Sequence, residues 1–219
     1  MDEAQVSKQK AFLRGILEPR ATAVLTMEMQ NGVVGEGALL PALAEEVERV
    51  GMVSNVRRIC EAARDSGARV VHCTAVSRAD GAGVAQNCRI FVANERLRLH
   101  GRGPTEIGQP GADVLEVLRD PRDIEVPRLS GMTPFTSTSL DQLLRNLDVR
   151  TVVATGVSLN LGIMGMALSA LDLGYQVVVV RDATAGVPAE YGQAVLEHSL
   201  SLIATIVTTD DVVDVLGGG

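Results

Sequence analysis

Aromatic residues are almost missing from this sequence: three Phe, two Tyr and no Trp in 219 residues. The core must therefore be built from Val, Leu, Ile, Ala and Met, and any ligand site has few rings for stacking. Cysteine is also sparse. Cys60, Cys73 and Cys88 are widely spaced and odd in number, which excludes a disulfide framework and suits a reducing, cytoplasmic setting. There is no CxxC and no paired His, so a structural zinc site is excluded, and neither metal nor cofactor is expected. Basic clusters are absent as well. The formal net charge is −7 and the Arg residues are scattered, which argues against nucleic acid as a partner. No apolar run approaches the roughly 18–20 residues of a membrane span. The first twenty residues, MDEAQVSKQKAFLRGILEPR, lack the apolar stretch of a signal peptide. GxGxxG and P-loop patterns are missing, and Gly101-Arg102-Gly103 has no strand–turn–helix context.

What is present is an ordinary globular composition, 46% apolar and 21% charged. Short β-branched runs alternate with helical patterns. Strands are expected at 21–27, 69–74, 123–127, 151–155, 176–180 and 203–208, with Pro127 ending its strand or marking an edge. Continuously apolar strands suit a parallel sheet covered on both faces. Helical rhythm runs from Pro41 to Ser66 with Gly67 as C-cap, from Ser139 to Leu147, from Leu161 to Leu173 ahead of Gly174, and over 188–202 with Pro188 in the first turn. A short helix is expected near Arg89–Leu97. The pattern predicts an α/β fold: one doubly wound, mostly parallel sheet of about six strands with helices on both faces, over 21–216. Residues 1–20 form a helical extension in this reading.

Ligands of such sheets bind beyond the carboxyl ends of the strands, which nominates four places. After Met27, Glu28 follows a buried strand. A desolvated, unpaired carboxylate there would have a raised pKa suited to acid or base work, whereas a cap or an Arg partner would make it structural. Gln30 and Asn31 either orient a ligand or bond the loop. After Cys73, alternation sends His72 and Cys73 to opposite faces, which suits core roles better than a catalytic pair. After Pro127, Arg128 either forks a substrate carboxylate or makes a salt bridge, and Thr136–Ser139 supply helix caps. After Thr155, the turn TGVSLNLG offers backbone donors, with Ser158 and Asn160 as its polar groups. Gly162 there permits either a close approach or helix packing.

From about Thr22 to about Thr208, the segments VLTMEMQNG, PFTSTSLDQLLRNLDVRTVVATGVSLN and ALDLGYQVVVVRDATAG resemble the isochorismatase-like (cysteine hydrolase) superfamily. The resemblance implies a single doubly wound domain that assembles as homo-oligomers. It also implies a site of Asp, Lys and nucleophilic Cys beside a non-proline cis peptide. Those positions fall on Glu28, on Leu129 next to Arg128, and on Gly162, with Val157–Ser158 as the cis bond. The metal-binding His residues of the nicotinamidase branch have no counterpart. Isochorismatases proper carry Gly at the Cys position and hydrolyse a vinyl ether by acid catalysis.

The resemblance implies a cofactor-free hydrolase of a small molecule. Glu28 is its general acid and Arg128 a second catalytic group. Gln30, Asn31, Phe135, Val157, Ser158, Asn160 and Gly162 are its substrate-binding candidates. Two alternatives stand beside it: a catalytically silent binding or assembly module, and an amidohydrolase with rearranged catalytic residues.

Overall fold

Alternation of valine-rich strands with amphipathic helices builds one parallel sheet. A computed structural model describes residues 3–35, 38 and 40–218. In chain order the elements are α1 (Glu3–Ile16), β1 (Thr22–Met27), the single turn α2 (Asn31–Val34), α3 (Pro41–Arg49), α4 (Met52–Ser66), β2 (Arg69–Ala75), α5 (Arg89–Leu99), β3 (Ile124–Arg128), α6 (Leu140–Asn146), β4 (Thr151–Val157), α7 (Met164–Asp172), β5 (Gln176–Ala185), α8 (Ala189–His198), β6 (Thr205–Val207) and α9 (Thr209–Leu216). The six strands lie in the order β3-β2-β1-β4-β5-β6, and every pairing is parallel. The chain winds outward from β1 in both directions, so the topological switch lies between β1 and β4. Pro127 is on β3, an edge strand, where its missing N–H costs no ladder bond.

Strand side chains alternate between two cores. Val24, Val70, Val153 and Val178 face Leu43, Val56, Ile59 and Val212 of α3, α4 and α9. Leu25, Met27, Val71 and Val152 face Leu140, Leu144, Ile163 and Met166 of α6, α7 and the turn before it. β1 and β4 are buried along their whole length, which is why their sequences are mostly apolar rather than alternating. Removing one of these fully buried leucines costs about 2–5 kcal/mol.

Local chemistry revises several expected boundaries. The 41–66 helix is two helices, because Gly51 takes a left-handed φ of 63° and turns the chain between α3 and α4. Pro188 caps α8 from outside and follows a cis bond, and that helix ends at His198 before a 3-10 turn at Leu200–Leu202. The cap of α6 comes from Thr138, whose Oγ1 accepts the Leu140 N–H at 3.0 Å, while Ser139 makes no such bond. α7 begins only at Met164, after a wide π-type turn over Leu159–Ile163. β5 runs on to Ala185, because the register shift between Ala154 and Gly156 re-pairs its second half with Gly156 and Val157.

Candidate functional site

At the carboxyl ends of β1 and β3 the sheet presents one acid and one cation. Glu28, the first residue beyond β1, has a left-handed φ of 53°, and its N–H bonds Cys73 O at 2.9 Å. This conformation turns the carboxylate toward β3. Arg128, the last residue of β3, is 4% exposed, while Glu28 keeps 22%. Arg128 donates from Nη2 to Glu28 Oε1 and from Nε to Gly131 O, the latter at 2.8 Å. Among the described residues its Nη1 meets the thioether of Met27, 4.0 Å away, a weak acceptor. The unpaired carboxylate that the sequence allowed at position 28 is thus an ion pair.

The pair forms part of the wall of a cleft of about 320 Å³. Val33 and Ala75–Ser77 form further parts of that wall, as do Ile90, Phe91, Asn94 and Leu97 of α5, Pro104 and Thr105, and Leu129–Met132. Glu95 and Arg98 also line it, but they neutralise each other at 2.6 Å. The cleft is therefore apolar apart from the Glu28–Arg128 pair and a few hydroxyl and amide groups. It lies over the ends of β1, β2 and β3, to one side of the switch point. Two further depressions lie outside this cleft. One, about 680 Å³, lies between α2, α3 and α4. The other, about 560 Å³, lies around Arg20, Arg145 and Arg150, beyond the amino ends of β1 and β4.

The other expected site residues take different places. Gln30 is fully buried. Its amide donates to Ala75 O and Ala112 O at 2.9 and 2.7 Å and accepts the Ala75 N–H at 2.8 Å. Asn31 donates to Pro110 O at 2.9 Å. Both pin loops together behind the cleft. Phe135 is 7% exposed and packs on Tyr175, with ring centroids 5.9 Å apart. Val157 is buried at the end of β4, and the Val157–Ser158 bond is cis. Ser158 O accepts from Leu161 and Ile163 at 3.2 and 3.0 Å. The buried Asn160 Oδ1 has no hydrogen-bond partner among the described residues. Gly162 is buried, and a Cβ there would stand 3.1 Å from Met27 Cε and 3.0 Å from Val157 O. None of these residues lines the cleft.

The remaining chemistry-bearing residues are closed off. Cys73 is fully buried in the core containing Met27. Desolvation pushes its thiol up to about 12, with Glu28 adding to the rise and Arg128 opposing it, so it is inert near neutral pH. Cys60 behaves alike, pushed up to about 12 mainly by burial, whereas Cys88 is exposed at the start of α5. His72 links Thr26 Oγ1 (2.7 Å to Nδ1) with Asp123 Oδ2 (2.9 Å from Nε2), and Asp123 takes a bidentate fork from Arg64 at 3.0 and 2.6 Å. Lysine occurs only at Lys8 and Lys10, and Lys10 pairs with Asp214 of α9. Among the described residues no cluster of three or more His, Cys, Asp or Glu could hold a metal, and no helix is long and apolar enough to cross a membrane.

Residues 22–211 match the model of the Isochorismatase domain. The chain belongs to the isochorismatase family. Its curated relatives in this family include the ureidoacrylate amidohydrolase RutB of Pseudomonas syringae pv. syringae (strain B728a), 27% identical over 205 residues that cover 89% of this chain and 83% of the relative. The RutB of Agrobacterium fabrum is 28% identical over 179 residues, 77% of each chain. Among solved structures, an isochorismatase family protein from Desulfovibrio vulgaris subsp. vulgaris str. Hildenborough superimposes with a TM-score of 0.73 at 27% identity, covering 90% of this chain and 99% of the other. A cysteine hydrolase from Pseudomonas syringae pv. phaseolicola 1448A reaches 0.78 at 21% identity over 93% and 95%, a likeness of fold.

The cleft walls contributed by α5 and by 103–105 escaped the sequence reading. α5 has no buried residue, so no apolar stripe marks its role. The one available signal was its position in the Gly- and Arg-rich connection between β2 and β3.

Proposed function

We propose that this isochorismatase-family chain is a cofactor-free hydrolase of a small enol ether bearing a carboxylate, working at Glu28 and Arg128 without a covalent intermediate. One observation carries the reading: the ion pair of Glu28 and Arg128 opens into an otherwise apolar cleft, while Gly162, at the family's nucleophile position, has no side chain and the nearby Cys73 thiol is buried. A substrate carboxylate competes with Glu28 for the Arg128 guanidinium. The Glu28 carboxyl group, released from Arg128, serves as the acid. Glu28 then protonates the terminal vinyl carbon, leaving an oxygen-stabilised cation on the ether carbon. Water adds its oxygen there and returns a proton to Glu28. The hemiketal then collapses to an alcohol and a keto acid.

The test compares wild type with Glu28→Gln, which keeps an oxygen acceptor for Arg128 and removes the acid. Wild type is expected to release keto acid from an enolpyruvyl ether, and Glu28→Gln to be about 10²–10⁴-fold slower, the range for general acid catalysis. Equal rates would remove Glu28 from the mechanism. A second reading, hydrolysis of an amide by water activated on the Glu28 carboxylate, is supported by the activity named for the curated relatives. Turnover of ureido or amide substrates but not enol ethers, again lost in Glu28→Gln, would select it. A third, ligand binding without turnover, is supported by the near-complete burial of Arg128. Thermal stabilisation by a carboxylate without hydrolysis of either class would select that one.

A further inference from the structure

The cleft and the Gly162 turn are neighbours that do not communicate. Arg128 lines the cleft, but Met27, Ser158 and Gly162 do not. Behind Arg128, its Nη1 4.0 Å from the sulfur, lies the Met27 side chain, which has no exposed surface. Behind Met27 lies Gly162: a Cβ built there would stand 3.1 Å from Met27 Cε and 3.4 Å from Cγ. The order is cleft, guanidinium, thioether, turn. Backbone geometry fixes where Met27 sits. Gly156 on the neighbouring β4 has a φ of 101°, and a Cβ there would come within 2.2 Å of Met27 O, so the two strands close tightly at this level. Methionine is unbranched and adaptable, the side chain best able to fill an irregular gap.

We propose that Met27 is a specificity-determining residue, a plug that confines ligands to the Glu28–Arg128 side and bars them from the Gly162 turn. Ligands are thereby limited to molecules that end at the ion pair. Their oxygen-bearing end meets Glu28 and Arg128, and their apolar body lies against Val76, Ile90, Phe91 and Met132. Shortening Met27 extends the space behind Arg128 toward the turn and frees Nη1 for a ligand oxygen.

The experiment uses iodoacetamide as the probe and a thiol introduced by Gly162→Cys as the reporter, with labelling rates read by peptide mass spectrometry. Exposed Cys88 serves as internal standard. In Gly162→Cys the introduced thiol is expected to label at least about 100-fold more slowly than Cys88, as buried thiols do. In Met27→Ala/Gly162→Cys it is expected to label at least about tenfold faster than in the single variant, because access no longer needs local opening. Labelling at the Cys88 rate in the single variant, or no gain in the double, overturns the plug. If Gly162→Cys does not fold, melting temperatures of Gly162→Ala, Met27→Ala and their double decide. A smaller loss from Gly162→Ala in the Met27→Ala background supports contact through Met27, and additive losses overturn it. The proposal rests on the cleft being the ligand site, but these rates need no turnover. An inactive protein with the expected rates loses the hydrolase reading and keeps the plug, and an active one with fast labelling does the reverse.

Discussion

Two arginine–carboxylate pairs flank the first two strands, and they are built to opposite ends. Arg64 and Asp123 close on each other completely. Both carboxylate oxygens are taken by the guanidinium, Oδ2 is shared with His72, and the side chains are 8% and 4% exposed. Arg64 also bonds Leu118 O at 2.6 Å, and neither residue lines the cleft. Arg128 and Glu28 meet through one carboxylate oxygen, and Glu28 keeps 22% of its surface beside the cleft. The same two chemical groups thus give a closed clamp on one side and, on the other, a pair whose carboxylate keeps an open face beside the cleft. What separates them is the number of oxygens used and the presence of space next to them.

Isosteric amide swaps break the comparison most sharply. Asp123→Asn places an NH₂ against the donors of Arg64 or His72 and should cost about 3–5 kcal/mol of stability, the range for breaking a buried pair. Glu28→Gln keeps its single acceptor and should cost about 1–2 kcal/mol, the difference between a charged and a neutral bond. Urea denaturation of both variants checks the ranking, and equal losses would erase the distinction. Between the two falls Thr26→Val, which leaves His72 Nδ1 without its buried partner and should cost about 1–3 kcal/mol.

Acid sharpens the same contrast. Burial pushes the Asp123 carboxyl up, but hydrogen bonds from His72 and Arg64 outweigh it and hold the group below the ordinary carboxylate range. A carboxyl depressed by folding contributes its full stability above the unfolded value of about 3.9, and loses it as pH falls through the folded value. Wild type should therefore lose stability below about pH 4, with a shallower acid limb in Asp123→Asn. Acid limbs of equal slope would contradict the clamp. The smallest effect lies far from both pairs. Thr208 and Asp211 form a capping box at α9, and Thr208→Ala should cost about 1 kcal/mol without altering ligand binding at the cleft.

The strands were legible because β1 and β4 are buried on both faces, so their short runs are apolar apart from threonine and glycine. The break at Gly51 was not, because α3 and α4 share one apolar rhythm across a turn that only a left-handed glycine reveals. Glu28 and Arg128 could be nominated from their places at strand ends. An ion pair was one reading of each, but 100 residues separate them, so the sequence did not show that they pair with each other. Gln30 and Asn31 carry the same polar groups whether they face a ligand or a loop carbonyl, so only the fold shows that they hold loops. The plug at Met27 looks in sequence like any other strand methionine.

The most direct test of the central claim is a single-turnover measurement of keto-acid release from an enolpyruvyl ether, on wild type and Glu28→Gln side by side. The account predicts release by wild type, unchanged by prior alkylation of Cys88, and a loss of about 10²–10⁴ in Glu28→Gln. No release by wild type, or equal release by Glu28→Gln, would contradict it.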